Sequence, residues 1–338
     1  MSRELTVALV GASGVVGTEF LRTMEERALP VKELRLLATK RSAGQTRRFR
    51  GEDLTIAETT PAAFQGADIA FISASTAASK ELCPVARDAG AIAFDDSSAF
   101  RQHPDVPLVV PEVNPEDLRD HRGIIATPNC STVPLVLALW PLMAERRVTR
   151  VIADTYQSTS GAGTAAMAEL DEQLQALAQE QPVTIENFPK QIAYNAIPQV
   201  DAFLEDGYTK EEWKMLVESR KILHQPDLPL SATCVRIPTL VSHAIAAHVD
   251  FDAPLDAAEA RSLWAGQSGL TVVDDPLHGG YPTPLDCAAQ DAVFVGRARQ
   301  DASNPNGLAF WCVTDNLRKG AALNMVQMVE WMLDDGCL

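Results

Sequence analysis

Residues 5–17 of the 338-residue sequence read LTVALVGASGVVG, and this stretch decides the fold of the N-terminal half. Leu5–Val10 is a short apolar, β-branched run of the kind found in strands that are buried on both faces. Gly11, Gly14 and Gly17 follow it directly and lead into a helical pattern. Such a turn lets the backbone and the helix N-terminus approach a pyrophosphate. The stretch therefore predicts a dinucleotide-binding turn, and a turn that only packs helix against strand is the alternative.

The chain beyond this turn alternates between strand-like and helix-like segments. This alternation is typical of a Rossmann-type, doubly wound parallel sheet in an α/β fold. Further strands are predicted at Leu34–Ala38, Asp68–Ser73, Ala91–Asp95, Leu108–Val110 and Gly123–Ala126.

The loop after the second predicted strand indicates which dinucleotide is bound. An NAD site usually has an acidic residue here for the ribose 2′-hydroxyl. Residues 39–44 instead read TKRSAG, which is basic and hydroxylic and contains no acid. Lys40, Arg41 and Ser42 suit a 2′-phosphate, so the sequence favours NADP. A solvated basic loop without a ligand is the other interpretation.

The pattern changes from about Arg150 onward. Strand-like segments now follow one another with short connections, and Thr209–Glu212 forms a capping box that opens a helix reaching about Leu223. This predicts a second domain of α+β type with a mostly antiparallel sheet, and the boundary between the domains is expected near Pro128. The strands are predicted at Val151–Tyr156, Ala232–Ile237, Ala244–Phe251, Ala292–Arg299 and Leu308–Thr314, and the helices at Thr164–Gln179 and from about Gly320.

Composition excludes several classes of protein. With 29 basic and 45 acidic residues the net charge is −16, which makes binding to nucleic acid or to an anionic membrane a poor expectation. No apolar run approaches the roughly 20 residues that cross a bilayer. Six scattered cysteines without a C-x-x-C pair or a signal peptide indicate reduced thiols in a cytoplasmic protein. No spacing of His and Cys resembles a metal site.

Cys130 is the cysteine with a chemical context. It lies in TPNCST (127–132), between an apolar strand and the helix-like VPLVLALWPLM, within which Pro141 is expected to kink or end the helix. A thiol at a helix N-terminus has a lowered pKa, and neighbouring N–H groups could hold an oxyanion. The alternative is a small buried cysteine, and Cys83, Cys234, Cys287 and Cys312 fit that description.

Three further sets of residues could act with this thiol, and each has a structural alternative. His243 stands at a strand start, and spacing alone leaves a catalytic and a structural role equally open. Its odd separation from His248 predicts that the two point to opposite faces. Arg236 on an apolar strand either reaches water or binds a carboxylate. Glu211 and Lys214 share a helix face, as a surface ion pair or as part of a site.

Together these motifs resemble the aspartate-semialdehyde dehydrogenase family over nearly the whole chain. The matching segments are VALVGASGVVG, KRSAGQ, DDSSAFR, PLVVPEVN, ATPNCSTVPLVLAL, DTYQSTSGAG, EEWKM, RIP followed by His243, and TDNLRKGAALN. PNCST is the most specific of them. The chain departs from the family at Ser242 and Ala244, where most members have Gly or Ala before this histidine and Ser after it.

The resemblance implies a role for each matching position. Cys130 would be the nucleophile, His243 the acid/base, acting in its protonated form, and Gln157 the residue that orients the reacting groups. Arg236 would bind the substrate α-carboxylate and Glu211 its amino group. Arg101, Asn129 and Lys214 would hold the phosphoryl group. The NADP contacts would be Gly11, Ser13, Gly14, Val15, Arg41, Ser42, Ser160, Gly161 and Asn316.

The resemblance also implies an architecture and a reaction. Residues 1–128 and 320–338 would form the NADP-binding domain, and 129–319 the catalytic and dimerisation domain of a homodimer. The reaction would be the reductive dephosphorylation of 4-phospho-L-aspartate to L-aspartate 4-semialdehyde through a Cys130 thioester, in lysine, threonine, methionine and diaminopimelate biosynthesis. The alternatives are a reductase of an N-acyl-glutamyl phosphate and a non-catalytic NADP-binding paralogue.

Overall fold

A computed structural model describes residues 3–338. Most of the strands are short apolar segments with buried residues on both faces, as expected when helices cover a sheet. In chain order they are β1 (Leu5–Val10), β2 (Val31–Ala38), β3 (Thr46–Phe49), β4 (Glu52–Thr55), β5 (Ala57–Glu58), β6 (Ile69–Ile72), β7 (Ile92–Asp95), β8 (Ile124–Ala126), β9 (Val148–Gln157), β10 (Leu230–Arg236), β11 (His243–Phe251), β12 (Leu270–Val272), β13 (Val293–Gln300) and β14 (Gly307–Thr314).

The helices divide with the strands between two compact units. The first unit comprises the chain through Pro128 together with Ala321–Leu338, and the second comprises Asn129–Gly320. No helix within residues 3–338 has the length and apolar character needed to span a membrane. The helices are α1 (Val15–Glu26), α2 (Thr76–Asp88), α3 (Thr132–Glu145), α4 (Thr164–Ala178), α5 (Lys210–Ile222), α6 (Ala257–Gly266), α7 (Pro284–Cys287) and α8 (Leu323–Asp335).

The first unit is built on a six-stranded sheet in the order β5-β2-β1-β6-β7-β8, and all of its pairs are parallel. This is the strand order of a dinucleotide-binding fold, so the predicted parallel sheet is confirmed. The rings of Phe20, Phe71 and Phe94 pack against one another at tilted angles in its core. Helix α8 completes the same core, with Met325, Val326, Met328, Val329 and Met332 buried in it.

One predicted strand of this unit is wrong. Leu108–Val110 forms only a single parallel bridge, between Leu108 and Ala126. The side chain of Asn114 accepts the Val110 N–H at 3.0 Å and donates to the Leu108 carbonyl at 3.0 Å, so the chain turns before a ladder can extend. An apolar run therefore formed a buried turn segment, because one asparagine satisfies its backbone groups locally.

The second unit has a mixed sheet in the order β10-β9-β11-β14-β13-β12. Three of its strand pairs are antiparallel and two are parallel, which agrees with the predicted mostly antiparallel sheet. Helix α3 is buried from Val133 to Leu139. It does not end at Pro141 but continues to Glu145, and Pro141 is itself buried. Helix α8 begins at Leu323 rather than near Gly320, because residues Arg318–Ala322 form a π-helical turn.

Candidate functional site

Two glycines of the turn in the first unit, Gly11 and Gly17, have no room for a side chain. Gly11 has φ +84°, and a Cβ added there would lie 2.0 Å from the Ser73 carbonyl oxygen. A Cβ on Gly17 would lie 2.3 Å from the Gly11 carbonyl oxygen. Helix α1 begins at Val15, with Gly14 at its N-cap, no side-chain capping bond and no acid in its first turn. Its first N–H groups therefore present a positive end that suits an anion.

The basic loop lies after β2, as the sequence analysis predicts. Arg41 is exposed, and Ser42 is buried with its N–H donating to the Thr39 carbonyl at 2.9 Å. The sequence analysis did not single out Arg47 on β3, whose Nη2 donates to the Ser13 carbonyl of the glycine turn at 3.2 Å. To predict this bond, one would have to know that β3 lies beside the glycine turn. The polar sequence TRRF gives no sign of that.

Arg101 also belongs to the first unit. It is buried, and its Nη2 donates to the Asp96 carbonyl at 2.9 Å, just beyond the carboxyl end of β7. Ligands of open α/β sheets bind beyond this end of the strands. Burial raises the pKa values of Asp95 and Asp96, whereas the Arg101 charge opposes that shift.

Cys130 lies two residues before the first residue of α3, at the start of the second unit. The Asn129 carbonyl accepts the N–H groups of Thr132 and Val133 at 2.9 and 3.1 Å, which begins the helix directly after the thiol. Gly320, in the π-helical turn, approaches from the other side, since a Cβ there would lie 2.9 Å from the Cys130 Cβ. π-Helical turns often occur at functional sites.

Gln157 and Asn129 connect the Cys130 segment to helix α5. The Gln157 Nε2 donates to the Ser131 Oγ at 2.9 Å and to the Glu211 Oε1 at 3.2 Å. The Asn129 Nδ2 donates to the same Glu211 oxygen at 2.8 Å. All four side chains are buried, so the residues that flank the thiol share one hydrogen-bonded carboxylate.

Glu211 and Lys214 form a buried pair rather than a surface one. Their side chains are 7% and 17% exposed, and the Lys214 Nζ lies 3.1 Å from Glu211 and 2.8 Å from Asp201. Burial alone would raise the pKa of Glu211, but Lys214, Asn129 and Arg236 together lower it. Burial likewise works against the charge of Lys214, and its two carboxylate partners raise its pKa. Both groups are therefore charged at neutral pH.

His243 is fully buried at the start of β11, and His248 on the opposite face is partly exposed, as their spacing predicts. The Ser158 N–H donates to the His243 Nδ1 at 3.1 Å, which places the proton of the neutral ring on Nε2. That Nε2 has no hydrogen-bond partner among the described residues. Burial and the Arg236 charge lower the pKa of His243 to about 3. Both effects favour the neutral ring near pH 7, whereas the mechanism expected from the resemblance uses the protonated ring.

Arg236 ends β10 close to these groups. Its Nη1 donates to the Ser158 carbonyl at 2.6 Å, and burial lowers its pKa while Glu211 and Cys130 raise it. Gly161 is adjacent to both of these side chains, because a Cβ there would lie 2.9 Å from the Arg236 Nη1 and 3.0 Å from the His243 Nε2. The second unit thus brings together Cys130, Arg236, His243, Glu211 and Gly161.

The side chain of Asn316 organises the turn beside His243. Its Oδ1 accepts from the Ser158 Oγ at 3.2 Å, the Ser160 Oγ at 3.1 Å and the Ser242 N–H at 2.9 Å. Ser160 and Asn316, which the resemblance assigns to the cofactor, are therefore also part of the support of the imidazole ring.

Ser242 has a backbone conformation that suits glycine, at a position where the chain departs from the family that it resembles. Its φ is +73°, and its buried Oγ has no hydrogen-bond partner among the described residues. We expect Ser242→Gly to raise the free energy of unfolding by about 1 kcal/mol, because relief of the left-handed strain exceeds the added freedom of the unfolded chain. Thermal unfolding should show a melting temperature about 2 °C higher.

The matched variant is Ser242→Ala, which removes the same hydroxyl but keeps the strain of a side chain at positive φ. It should gain less than Ser242→Gly. A glycine variant that melts below the alanine variant would contradict the strain argument.

Sequence reasoning missed four residues of these networks, namely Arg47, Ser158, Asp201 and Glu218. Glu218 accepts the Asn129 N–H at 2.6 Å, and it lies seven residues after Glu211 on one face of α5. Helical spacing could have identified Glu218. Asp201 lies in an irregular segment, and nothing in the sequence signals its contact with Lys214.

Comparisons with known proteins agree over almost the whole chain. Residues 6–121 match the profile "Semialdehyde dehydrogenase, NAD binding domain", and residues 139–319 match "Semialdehyde dehydrogenase, dimerisation domain". The chain is 46% identical to an aspartate-semialdehyde dehydrogenase of Aquifex aeolicus (strain VF5), over 98% of this chain and 99% of that protein. A Bacillus subtilis (strain 168) relative of the same name is 45% identical, over 98% of each chain.

Solved structures give the same answer. A Vibrio cholerae aspartate semialdehyde dehydrogenase II complexed with ASA superposes with a TM-score of 0.95 at 40% identity and covers 99% of both chains. The resemblance found in the sequence is therefore confirmed, and the chain belongs to the aspartate-semialdehyde dehydrogenase family.

Proposed function

We propose that this protein catalyses the reversible, NADP-dependent reductive dephosphorylation of 4-phospho-L-aspartate to L-aspartate 4-semialdehyde. The observation that carries the proposal is the hydrogen-bonded carboxylate of Glu211, which links the segment around Cys130 to Gln157 and, through electrostatic interaction, to Arg236. A site for a phosphorylated amino acid requires three groups. These are a nucleophile for the acyl carbon, a carboxylate for the ammonium group and a cation for the α-carboxylate. The relatives named above support the same substrate.

The glycine turn fits the dinucleotide. Gly11 and Gly17 let the turn pack closely against its own backbone, where a Cβ would collide. The N-terminus of α1 has no side-chain cap and suits a phosphate, and Arg41 and Ser42 would hold the 2′-phosphate. When bound, the reduced cofactor would supply the hydride for the acyl group. We also assign contacts with NADP to Ser13 and Val15 in this turn. In the second unit we assign such contacts to Ser160, Gly161 and Asn316.

The chemistry begins at Cys130. In the biosynthetic direction its sulfur forms a bond to the acyl carbon, and inorganic phosphate leaves with the electrons of the broken C–O bond. This gives an acyl-enzyme thioester. The position before α3 favours the thiolate. The same thiolate is regenerated when the aldehyde is released, because sulfur is also a good leaving group.

His243 acts as a neutral donor in this proposal. Its Nε2–H is buried, and the Ser158 N–H fixes the tautomer. We assign this N–H to the substrate carbonyl oxygen, on which negative charge develops as the acyl carbon is attacked. A preorganised donor in a water-poor site is worth about 3 kcal/mol of transition-state stabilisation. Gln157 fixes Ser131 beside the thiol and so orients the reacting groups.

Substrate recognition follows from the charges. Arg236 would bind the α-carboxylate through its guanidinium fork. Glu211, whose pKa is lowered, would bind the ammonium group, and Arg101, Asn129 and Lys214 would contact the phosphoryl group. The substrate of the alternative enzyme, an N-acyl-glutamyl phosphate, has no ammonium group that Glu211 could bind. The chain would form a homodimer through the region that matches the dimerisation profile. We place the protein in the cytoplasm, where a catalytic thiol stays reduced.

The test is NADPH formation from aspartate semialdehyde, NADP and phosphate, followed by absorbance. We expect a rate that requires phosphate and that is at least about 100-fold higher than with an N-acylated glutamate semialdehyde, since a carboxylate left without its cation is costly. NAD in place of NADP is the matched control for the basic loop and should react more slowly. Equal rates with the two aldehydes would overturn the substrate assignment, and the absence of any phosphate-dependent signal would overturn the function.

A further inference from the structure

Asn129, the residue before Cys130, is held by hydrogen bonds at its backbone N–H, at its backbone carbonyl and at both polar atoms of its side chain. The Asn129 Oδ1 accepts the Ser131 N–H at 2.9 Å, and its carbonyl accepts the first N–H groups of α3. These bonds are local to the turn. The other two come from α5, where Glu211 accepts the side-chain Nδ2 and Glu218 accepts the backbone N–H.

Glu218 differs from Glu211 in what it can do. It is 1% exposed, and it lies two helical turns further along α5 on the same face. It accepts a backbone N–H, that of Asn129, whereas Glu211 accepts from the side chains of Asn129, Gln157 and Lys214. The proposed function gives Glu211 a substrate group, but it leaves Glu218 without a role.

Burying a carboxylate costs more free energy than burying a neutral acceptor. A water molecule or a neutral side chain could accept the same bond without taking a negative charge out of solvent. What the charge adds is a short and strong bond, here 2.6 Å, that permits little movement of its donor. The donor is one residue from Cys130. Gly320 limits the segment from the other side, where a Cβ would be 2.9 Å from that of Cys130.

We propose that Glu218 is a positioning residue for the nucleophile, and that its bond to the Asn129 N–H holds the Cys130 thiol in the geometry for attack. This inference rests on the proposed function of Cys130. The reason is geometric, since a sulfur must lie within a few tenths of an ångström of its attack position for the full benefit of orientation.

The test is Glu218→Gln, which keeps the shape and an acceptor oxygen but removes the charge. We expect kcat to fall about tenfold with KM changed less than threefold, because the lost charge weakens the hold on the backbone beside the reacting sulfur, whereas the Asn129 side chain, which would contact the phosphoryl group, keeps its bond to Glu211. The pH profile of Cys130 alkylation by iodoacetamide, measured by peptide mass spectrometry, should also change in this variant. The buried cysteines should react much more slowly with iodoacetamide. Burial raises the pKa values of Cys287 and Cys312 to about 12 and raises those of Cys83 and Cys234 further.

The matched control is Glu212→Gln on the same helix. Glu212 is also a buried carboxylate that accepts backbone N–H groups, but these are the N–H groups of Thr209, at 2.6 Å, and Cys234, at 2.9 Å, rather than one beside Cys130. It should lower the melting temperature without changing the alkylation profile or kcat. A Glu218→Gln variant that melts like the control and keeps the wild-type kcat and alkylation profile would overturn the inference.

Two further outcomes remain informative. If Glu218→Gln does not fold, Glu218→Asp keeps the charge one methylene further from the N–H, and a folded Asp variant with wild-type kcat and alkylation would overturn the inference. If the wild-type protein shows no dehydrogenase activity, the proposed function fails, whereas the alkylation comparison still reports on the position of Cys130.

Discussion

Cys130→Ser is expected to lower kcat by at least about 10³-fold, the largest effect of any substitution on catalysis here. The serine hydroxyl is almost the size of the thiol but stays protonated at neutral pH, and the start of α3 cannot ionise it as it can a thiol. The thioester would not form. Steady-state NADPH formation with aspartate semialdehyde and phosphate measures this loss, and NADP binding should remain unchanged.

Cys337→Ser is the matched control. Cys337 is the other cysteine that is partly exposed, and it belongs to the first unit near the end of the chain. Its substitution should leave kcat at the wild-type value. Near wild-type turnover by Cys130→Ser would remove Cys130 from the mechanism, and an equal loss in both variants would point to a general effect of thiol removal.

Gly11→Ala should destabilise the first unit by about 3 kcal/mol and should weaken NADP binding at least tenfold. A side chain at φ +84° costs about 1–2 kcal/mol, and overpacking against the Ser73 carbonyl, 2.0 Å from the new Cβ, adds about 1–3 kcal/mol. The backbone must shift to relieve that contact, and the shift moves the N–H groups at the start of α1. Thermal unfolding and calorimetric titration with NADP measure the two effects.

Gly66→Ala separates strain from collision. Gly66 lies in the same unit with φ +72°, and a Cβ there would have nothing within 4 Å. It should lose about 1 kcal/mol of stability and should bind NADP normally. If Gly11→Ala behaved like Gly66→Ala in both measurements, the close approach at Ser73 would not be what shapes the turn.

The strands of the parallel sheet could be predicted because burial on both faces leaves a direct trace in the sequence. β1, β6 and β7 are apolar runs, and the strand predictions there are correct to within two residues at each end. The hairpin of β3 and β4 left no such trace. Its strands, TRRF and EDLT, are polar and largely exposed, so neither alternation nor an apolar run signals them. Leu108–Val110 shows the opposite error, since an apolar run can also be buried as a turn.

The candidate site was predictable in its reacting groups and not in their supports. Cys130 could be found from its place before a helix, and Arg236 from being a cation on an apolar strand. The resemblance supplied the roles of Gln157 and Glu211. Ser158, which fixes the tautomer of His243, and Asp201, which pairs with Lys214, act through distances that only the folded chain creates. The sequence also could not show that His243 is neutral, because that depends on complete burial beside Arg236.

The chain enters the first unit at its start and returns to it only at its end. Five buried side chains of α8 complete a core whose first strand is β1, so that core stays open until the last residues have been made. The second unit, by contrast, is one continuous stretch. At about 5–20 residues per second, the glycine turn leaves the ribosome tens of seconds before its unit can close. During synthesis the second unit is therefore the first to have all of its chain, and the first unit must wait until α8 has been made.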